Sequence, residues 1–143
     1  MVRIERREFE QVEPFIDSIF REQALEHFEE IREKIEETEE TITLVAYIEE
    51  ELAGSLVAQR KYDHLYIQYL TVSTAFQGQN IGTQLMETAE NLAREISIVN
   101  ITLKTRHYQA ADFYHKCGYK CYATLEDMPM RGVAMHYFVK RIV

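Results

Sequence analysis

From Ile81 onward the apolar positions fall three or four apart, at Ile81, Leu85, Met86, Ala89, Leu92, Ala93 and Ile96, which is one face of a helix. A second helical stretch runs from Glu8 to Glu40, where one or two helices are expected. Pro14 within it fits a first turn or a kink. Between these stretches the pattern changes. TITLVAYIEE, EELAGSLVAQRKY and HLYIQYLTV are rich in β-branched and aromatic residues and are separated by polar turns, so three antiparallel strands are predicted. MVRIERR reads as a further strand at the start, and ISIVNITLKT as another after the second helix. Ala110, Phe113, Tyr114 and Cys117 mark a short helix stopped by Gly118, and YKCYATL and VAMHYFVKRI close the chain as strands. The sum is an α/β (α+β) domain: a mixed, mostly antiparallel sheet of about six or seven strands with about four helices against it.

Length and composition fit one domain over residues 1–143, with no repeat and no linker: 143 residues, 46% hydrophobic and 28% charged. No apolar run reaches membrane-spanning length and the first residues lack a signal-peptide core, so a cytoplasmic protein with no membrane partner is expected. Two cysteines, Cys117 and Cys121, make neither a disulfide framework nor a zinc site. His27, His107, His115 and His136 show no pairing that suggests a metal, and none is expected. The net charge of −8 argues against nucleic acid and allows a cationic partner. The acid concentrates in REQALEHFEEIREKIEETEE, either a solvated helix face on the spacing of Ala24, Phe28, Ile31 and Ile35 or a cation-attracting rim.

TAFQGQNIGTQLM carries the chemistry. A strand that runs into a glycine-containing turn and then a helix presents free N–H groups and the positive end of the helix dipole, which suits a phosphate. Gly78 and Gly82 permit close approach, and Gln77, Gln79, Asn80 and Thr83 add neutral donors. It is neither a P-loop nor the dinucleotide fingerprint, and alone it reads equally as a plain helix start.

The order of this loop, a helix, a strand and HYQAADFYHKCGYK resembles the GCN5-related N-acetyltransferase superfamily over roughly Ile42 to Ile142. Gln77 stands where that family has Gln or Arg, Asn80 at its first Gly and Gly82 at its second; Gly78 matches a further glycine. Ala110, Phe113, Tyr114, Lys116, Gly118 and Tyr119 match its A-x-x-[LF]-Y-x-K-x-G-[FY] pattern, with His107 in place of a frequent Asn. The resemblance implies a sheet splayed between the fourth and fifth strands at a bulge, and acetyl-CoA as co-substrate. The cofactor would be bound by Leu70, Thr71 and Val72 at the strand end, by Gln77, Gly78, Gln79, Asn80, Ile81, Gly82 and Thr83 in the loop, and by Ala110, Phe113 and Lys116 on the later helix. Tyr114 would be the catalytic acid that protonates the departing thiolate, since a phenol is still protonated at neutral pH.

The implied reaction is transfer of an acetyl group to a primary amine, probed from the other side by a reading as a degenerate acyl-CoA-binding or protein-interaction module. Gln68 stands where an acid is common in the family, which leaves the general base open among Asp63, His64, Tyr69, an acidic-run glutamate through water, and an amine that arrives neutral. Gln109 and His107 either line an acceptor pocket or cap the short helix. Lys116 either meets a cofactor phosphate or is solvated. VAMHYFVKRI would leave an apolar edge if unpaired, so a homodimer and a monomer with that edge covered are both open.

Overall fold

The computed structural model describes residues 1–28, 39–106 and 108–143, and the chain divides into two units, Met1–Glu36 and Glu37–Val143. In the first, helix α1 spans Phe9–Phe28. The Gln11 side chain accepts the Glu8 N–H at 3.3 Å, which closes the first turn. Pro14 lies inside α1, past that turn, where its ring removes one helical donor. Residues 1–8 form no strand, contrary to the reading of MVRIERR. Only Val2 and Ile4 alternate there, too few to specify a face. Ile31, Ile35 and His107 lie outside the described residues.

The second unit holds one six-stranded sheet, so the lower strand count is the right one. Its elements are β1 (Glu39–Ile48), β2 (Glu51–Lys61), β3 (His64–Val72), helix α2 (Ile81–Glu95), β4 (Asn100–Thr105), helix α3 (Tyr108–Lys116), β5 (Lys120–Glu126) and β6 (Ala134–Arg141). The order across the sheet is β1-β2-β3-β4-β6-β5, antiparallel everywhere except between β3 and β4. The described residues contain three α-helices, against about four expected.

Alternation decides which face of β1–β3 is buried. Leu56, Ala58, Leu65 and Ile67 point to one side, and α2 lays Ile81, Leu85, Met86, Ala89 and Ala93 onto them, all under one tenth exposed. Each of the larger side chains contributes roughly 1.5–3 kcal/mol by leaving water. Ile101, Leu103 and Phe138 continue the core under the second half of the sheet.

α2 ends where ISIVNITLKT was read as strand. Ser97 takes a left-handed φ of 63°, Ser97 N–H donates to Arg94 O at 3.2 Å and Ile98 N–H to Ala93 O at 2.9 Å. That is a Schellman end, which buries Ile98 by capping rather than by strand pairing. The strand begins only at Asn100.

β6 pairs on one side with β4 and on the other with β5, so it is not an edge. The argument for a homodimer from an unpaired VAMHYFVKRI therefore falls; the sheet edges are β1 and β5.

Candidate functional site

The site is built where β3 leaves its neighbour. Val57 of β2 opposes Tyr69 while the next residue, Ala58, opposes Ile67, which makes Gln68 the extra residue of a bulge in β3. β3 pairs with β4 only at His64, Leu65 and Tyr66, against Asn100, Ile101 and Thr102. Beyond this neck the two strands part, which puts the splay where it was expected, now between the third and fourth strands because the first predicted strand does not form. Leu70 and Val72 lie half-buried in the open half; Thr71 is exposed and its Oγ1 lies 2.7 Å from Ser55 Oγ.

After β3 a short 3-10 turn, Thr74–Phe76, is started by Ser73, whose hydroxyl accepts the Ala75 N–H. Gln77 is extended, Gly78 has φ 85°, and Asn80 sits in the left-handed region at φ 58°, ψ 28°. Asn is the non-glycine side chain best suited to that conformation, so replacement of the family glycine leaves the turn intact. Asn80 makes no side-chain cap. Gln84 N–H donates to Asn80 O at 3.0 Å, so the N–H groups of Ile81, Gly82 and Thr83 are the ones an α-helix leaves without intrahelical partners. Gln84 also closes the loop, its Nε2 donating to Gln79 O at 3.2 Å. The loop is thus a shaped donor surface at a positive helix end.

Two glycines set its place. A Cβ on Gly82 would come 3.3 Å from Phe113 Cζ, so the bare backbone there lets α3 approach the first turn of α2. A Cβ on Gly54, in β2, would come 2.9 Å from both Ile81 Cγ2 and Thr71 O. Gly54 was missed in the sequence, although an isolated glycine within a strand is the usual sign of such an approach.

α3 brings Tyr114 to this region. Phe113 and Tyr114 meet edge to face at 5.1 Å between ring centroids, and Tyr114 packs 5.7 Å from Phe138. Burial raises the Tyr114 hydroxyl above its ordinary pKa of 10.0, and the neighbouring Cys117 adds to the rise. The phenol therefore keeps its proton through the neutral range. Ala110 is half-buried on α3, and Lys116 is exposed in its last turn.

The candidate bases do not converge. Gln68 Oε1 accepts from Gln59 Nε2 at 2.9 Å, and Gln59 Oε1 accepts from Thr41 at 2.8 Å, a neutral chain with no proton acceptor of useful basicity. Asp63 and His64 stand at the closed end of the neck. His64 Nε2 lies 2.5 Å from Thr102 Oγ1, and burial lowers its pKa from 6.5. Tyr69 is exposed beside the bulge. Among the described residues no cluster of His, Cys, Asp or Glu could hold a metal, and no helix is long and apolar enough to cross a membrane.

A mixed sheet that opens beside an anion-ready helix start, with a phenol on the next helix, is the arrangement that the resemblance to acetyltransferases implies. A crystal structure of an acetyltransferase from Bacillus cereus ATCC 14579 matches with a TM-score of 0.77 and 27% identity, over 99% of this chain and 98% of that one. The chain belongs to the acetyltransferase (GNAT) family, whose model matches residues 3–119. It is an acyltransferase. A blasticidin-S acetyltransferase from Streptomyces morookaense is 33% identical over 93 residues, 64% of this chain and 68% of that protein. An aminoglycoside 6'-N-acetyltransferase solved in complex with coenzyme A shares the fold, with a TM-score of 0.66 and 21% identity over 73% of this chain and 74% of that one.

Proposed function

We propose that this acetyltransferase moves the acetyl group of acetyl-CoA to a primary amine of a cationic acceptor by direct attack in a ternary complex. The observation that carries the reading is the left-handed Gly78–Asn80 turn leading into the uncapped start of α2, beside the splay of β3 from β4. In this reading the backbone amides from Gln77 to Thr83 hold the diphosphate and the open backbone of Leu70, Thr71 and Val72 holds the pantetheine arm. Ala110, Phe113 and Lys116 flank the cofactor. The amine lone pair forms the new N–C bond, the thioester C–S bond breaks, the thiolate takes its proton from Tyr114, and the surplus proton on the new amide nitrogen leaves to solvent, from which the Tyr114 phenolate regains its own. The acidic balance, −8 overall, favours a positively charged acceptor.

The first test is thermal unfolding with acetyl-CoA, coenzyme A and ATP. Ligand at about 100 times its dissociation constant adds about 2.7 kcal/mol, a rise of several degrees with both coenzyme A forms and none with ATP. No rise at saturation would reduce TAFQGQNIG to a helix start.

A second reading is favoured by one observation. Gln68, locked to Gln59, offers no base, as in a chain that binds acyl-CoA without turnover. Coenzyme A release driven by polyamines or by lysine and arginine derivatives would eliminate it.

The same observation sets a pH dependence for the active protein. With no base at Gln68 the acceptor reacts as its free amine, so kcat/KM should rise with pH along the acceptor's own titration. Because the pKa of Tyr114 is raised, loss of its proton should cause no fall below about pH 10. Two acceptors of different amine pKa should give profiles displaced by that difference. One shared inflection would instead assign a base on the protein.

A further inference from the structure

Glu90 is a carboxylate on the apolar face of α2, four residues after Met86 and three before Ala93, and only 6% of it is exposed. Its partner comes from the far side of the sheet order. Lys140 of β6 places Nζ 2.9 Å from Glu90 Oε2, and Arg94 approaches the same oxygen at 4.0 Å. The ammonium donates a second hydrogen bond, also 2.9 Å, to Cys117 O. That carbonyl is at the C-terminal end of α3. The end is a Schellman turn in which Gly118 N–H donates to His115 O at 3.0 Å and Tyr119 N–H to Tyr114 O at 2.9 Å, so Cys117 O is left for another donor. Gly118, at φ 90°, clears the path: a Cβ there would come 3.2 Å from both Lys140 Nζ and Cε. The Tyr119 ring lies 5.7 Å from the ammonium and covers part of it, with the Lys140 side chain left 24% exposed.

One nitrogen therefore joins α2, whose first turn carries the anion-ready loop, to α3, which carries Tyr114. Phe113 packs against Gly82 in the first turn of α2, and one turn further along α3 the Lys140–Glu90 link ties the end of α3 to the later half of α2. Stability alone is a weak reason for such a pair, since well-packed apolar residues often serve as well as a buried ion pair. Direction is what the pair adds, because a hydrogen-bonded ammonium fixes where a helix end sits whereas an apolar contact lets it slide. A cation at a helix C-terminus is also favoured by the helix dipole.

We propose that Lys140, clamped by Glu90, is a positioning residue for the reaction, holding the end of α3 so that Tyr114 meets the thiolate site next to the α2 loop. This rests on the role given to Tyr114 above. Lys140 touches neither reacting atoms nor cofactor in this scheme and acts only through α3.

The test compares Lys140→Met, the pair Glu90→Met with Lys140→Met, and each of these in a Tyr114→Phe background, by thermal unfolding and by kcat and acetyl-CoA KM well below each unfolding temperature. Lys140→Met leaves Glu90 buried without its main partner, and both Tm and kcat should fall. Removing both charges should restore Tm while kcat stays about tenfold or more below wild type, with acetyl-CoA KM within about threefold. If Lys140→Met fails to fold, the double replacement carries the test. In the Tyr114→Phe background the same double replacement should lower kcat less than about twofold further, because the group being positioned is already gone. Recovery of kcat together with Tm would overturn the proposal and leave the pair as a structural contact. So would a full tenfold further loss in the Tyr114→Phe background. Tyr114→Phe with unimpaired kcat would retire the Tyr114 reading itself, an outcome distinct from either of the other two.

Discussion

Replacing Tyr114 with Phe should lower kcat about 100-fold, the lower end of what a positioned general acid contributes, and leave the KM for acetyl-CoA within about twofold. The substitution removes one oxygen and little else. The ring contacts with Phe113 at 5.1 Å, Phe138 at 5.7 Å and Tyr119 at 6.2 Å are made by carbon, and phenylalanine keeps them. α3 should therefore stay in place, and the unfolding temperature should hold or rise slightly as a half-buried hydroxyl disappears. Steady-state kinetics with the best acceptor, beside a melting curve, checks both halves. A kcat equal to wild type would mean that the thiolate finds its proton elsewhere.

Gly54→Val should be the most damaging single change to the loop without touching it. The new Cβ would sit 2.9 Å from Thr71 O and 2.9 Å from Ile81 Cγ2, with Leu85 Cδ1 at 3.2 Å. Leu85 Cδ1, at the end of a flexible side chain, can turn aside, but Ile81 Cγ2 sits on a β-branched carbon close to the start of α2 and Thr71 O belongs to the backbone of β3. Either β2 and β3 separate or the helix rises, an overpacking cost of about 1–3 kcal/mol. The proposed cofactor surface moves with Ile81 in the second case, so acetyl-CoA affinity should fall by roughly tenfold or more, since main-chain donors shifted out of line lose their hydrogen bonds. Calorimetric titration and thermal unfolding read the two effects separately. Unchanged affinity in a destabilised protein would show that β3 yields and that the loop is held by other contacts.

Much of this architecture is legible in the chain because the two periods are clean. The α2 face from Ile81 to Ala93, the three-strand meander and the glycine stop at Gly118 follow from spacing alone, since each burial pattern is local. The loop is legible for the same reason: donors, glycines and a helix start are adjacent in sequence. Errors came where a local pattern has two physical causes. Ile96 and Ile98 alternate as a strand would, but a left-handed Ser97 puts Ile98 into the core as a helix cap. VAMHYFVKRI reads as an apolar edge until its two partners are known. Gly54, Glu90 and Lys140 matter through neighbours 17 to 50 residues away, at Thr71 and Lys140 among others, and no window along the chain contains both partners. Glu90 did leave a trace, an acid at a position where the helical period asks for an apolar residue.

The neck between β3 and β4 also has a meaning in chain entropy. Its pairings join His64 to Asn100, 36 positions apart, while β1, β2 and β3 follow one another through turns of two residues. Drawing such a loop closed costs roughly 3 kcal/mol from its length alone, before any stiffness is counted. Three parallel backbone pairings are a meagre return for that. The apolar face of α2, which spans the same interval and shares one core with both Leu65 and Ile101, has to supply the difference. The opening in the sheet is therefore maintained by a helix that closes the chain behind it, and any change that loosens α2 loosens the two halves of the sheet from each other.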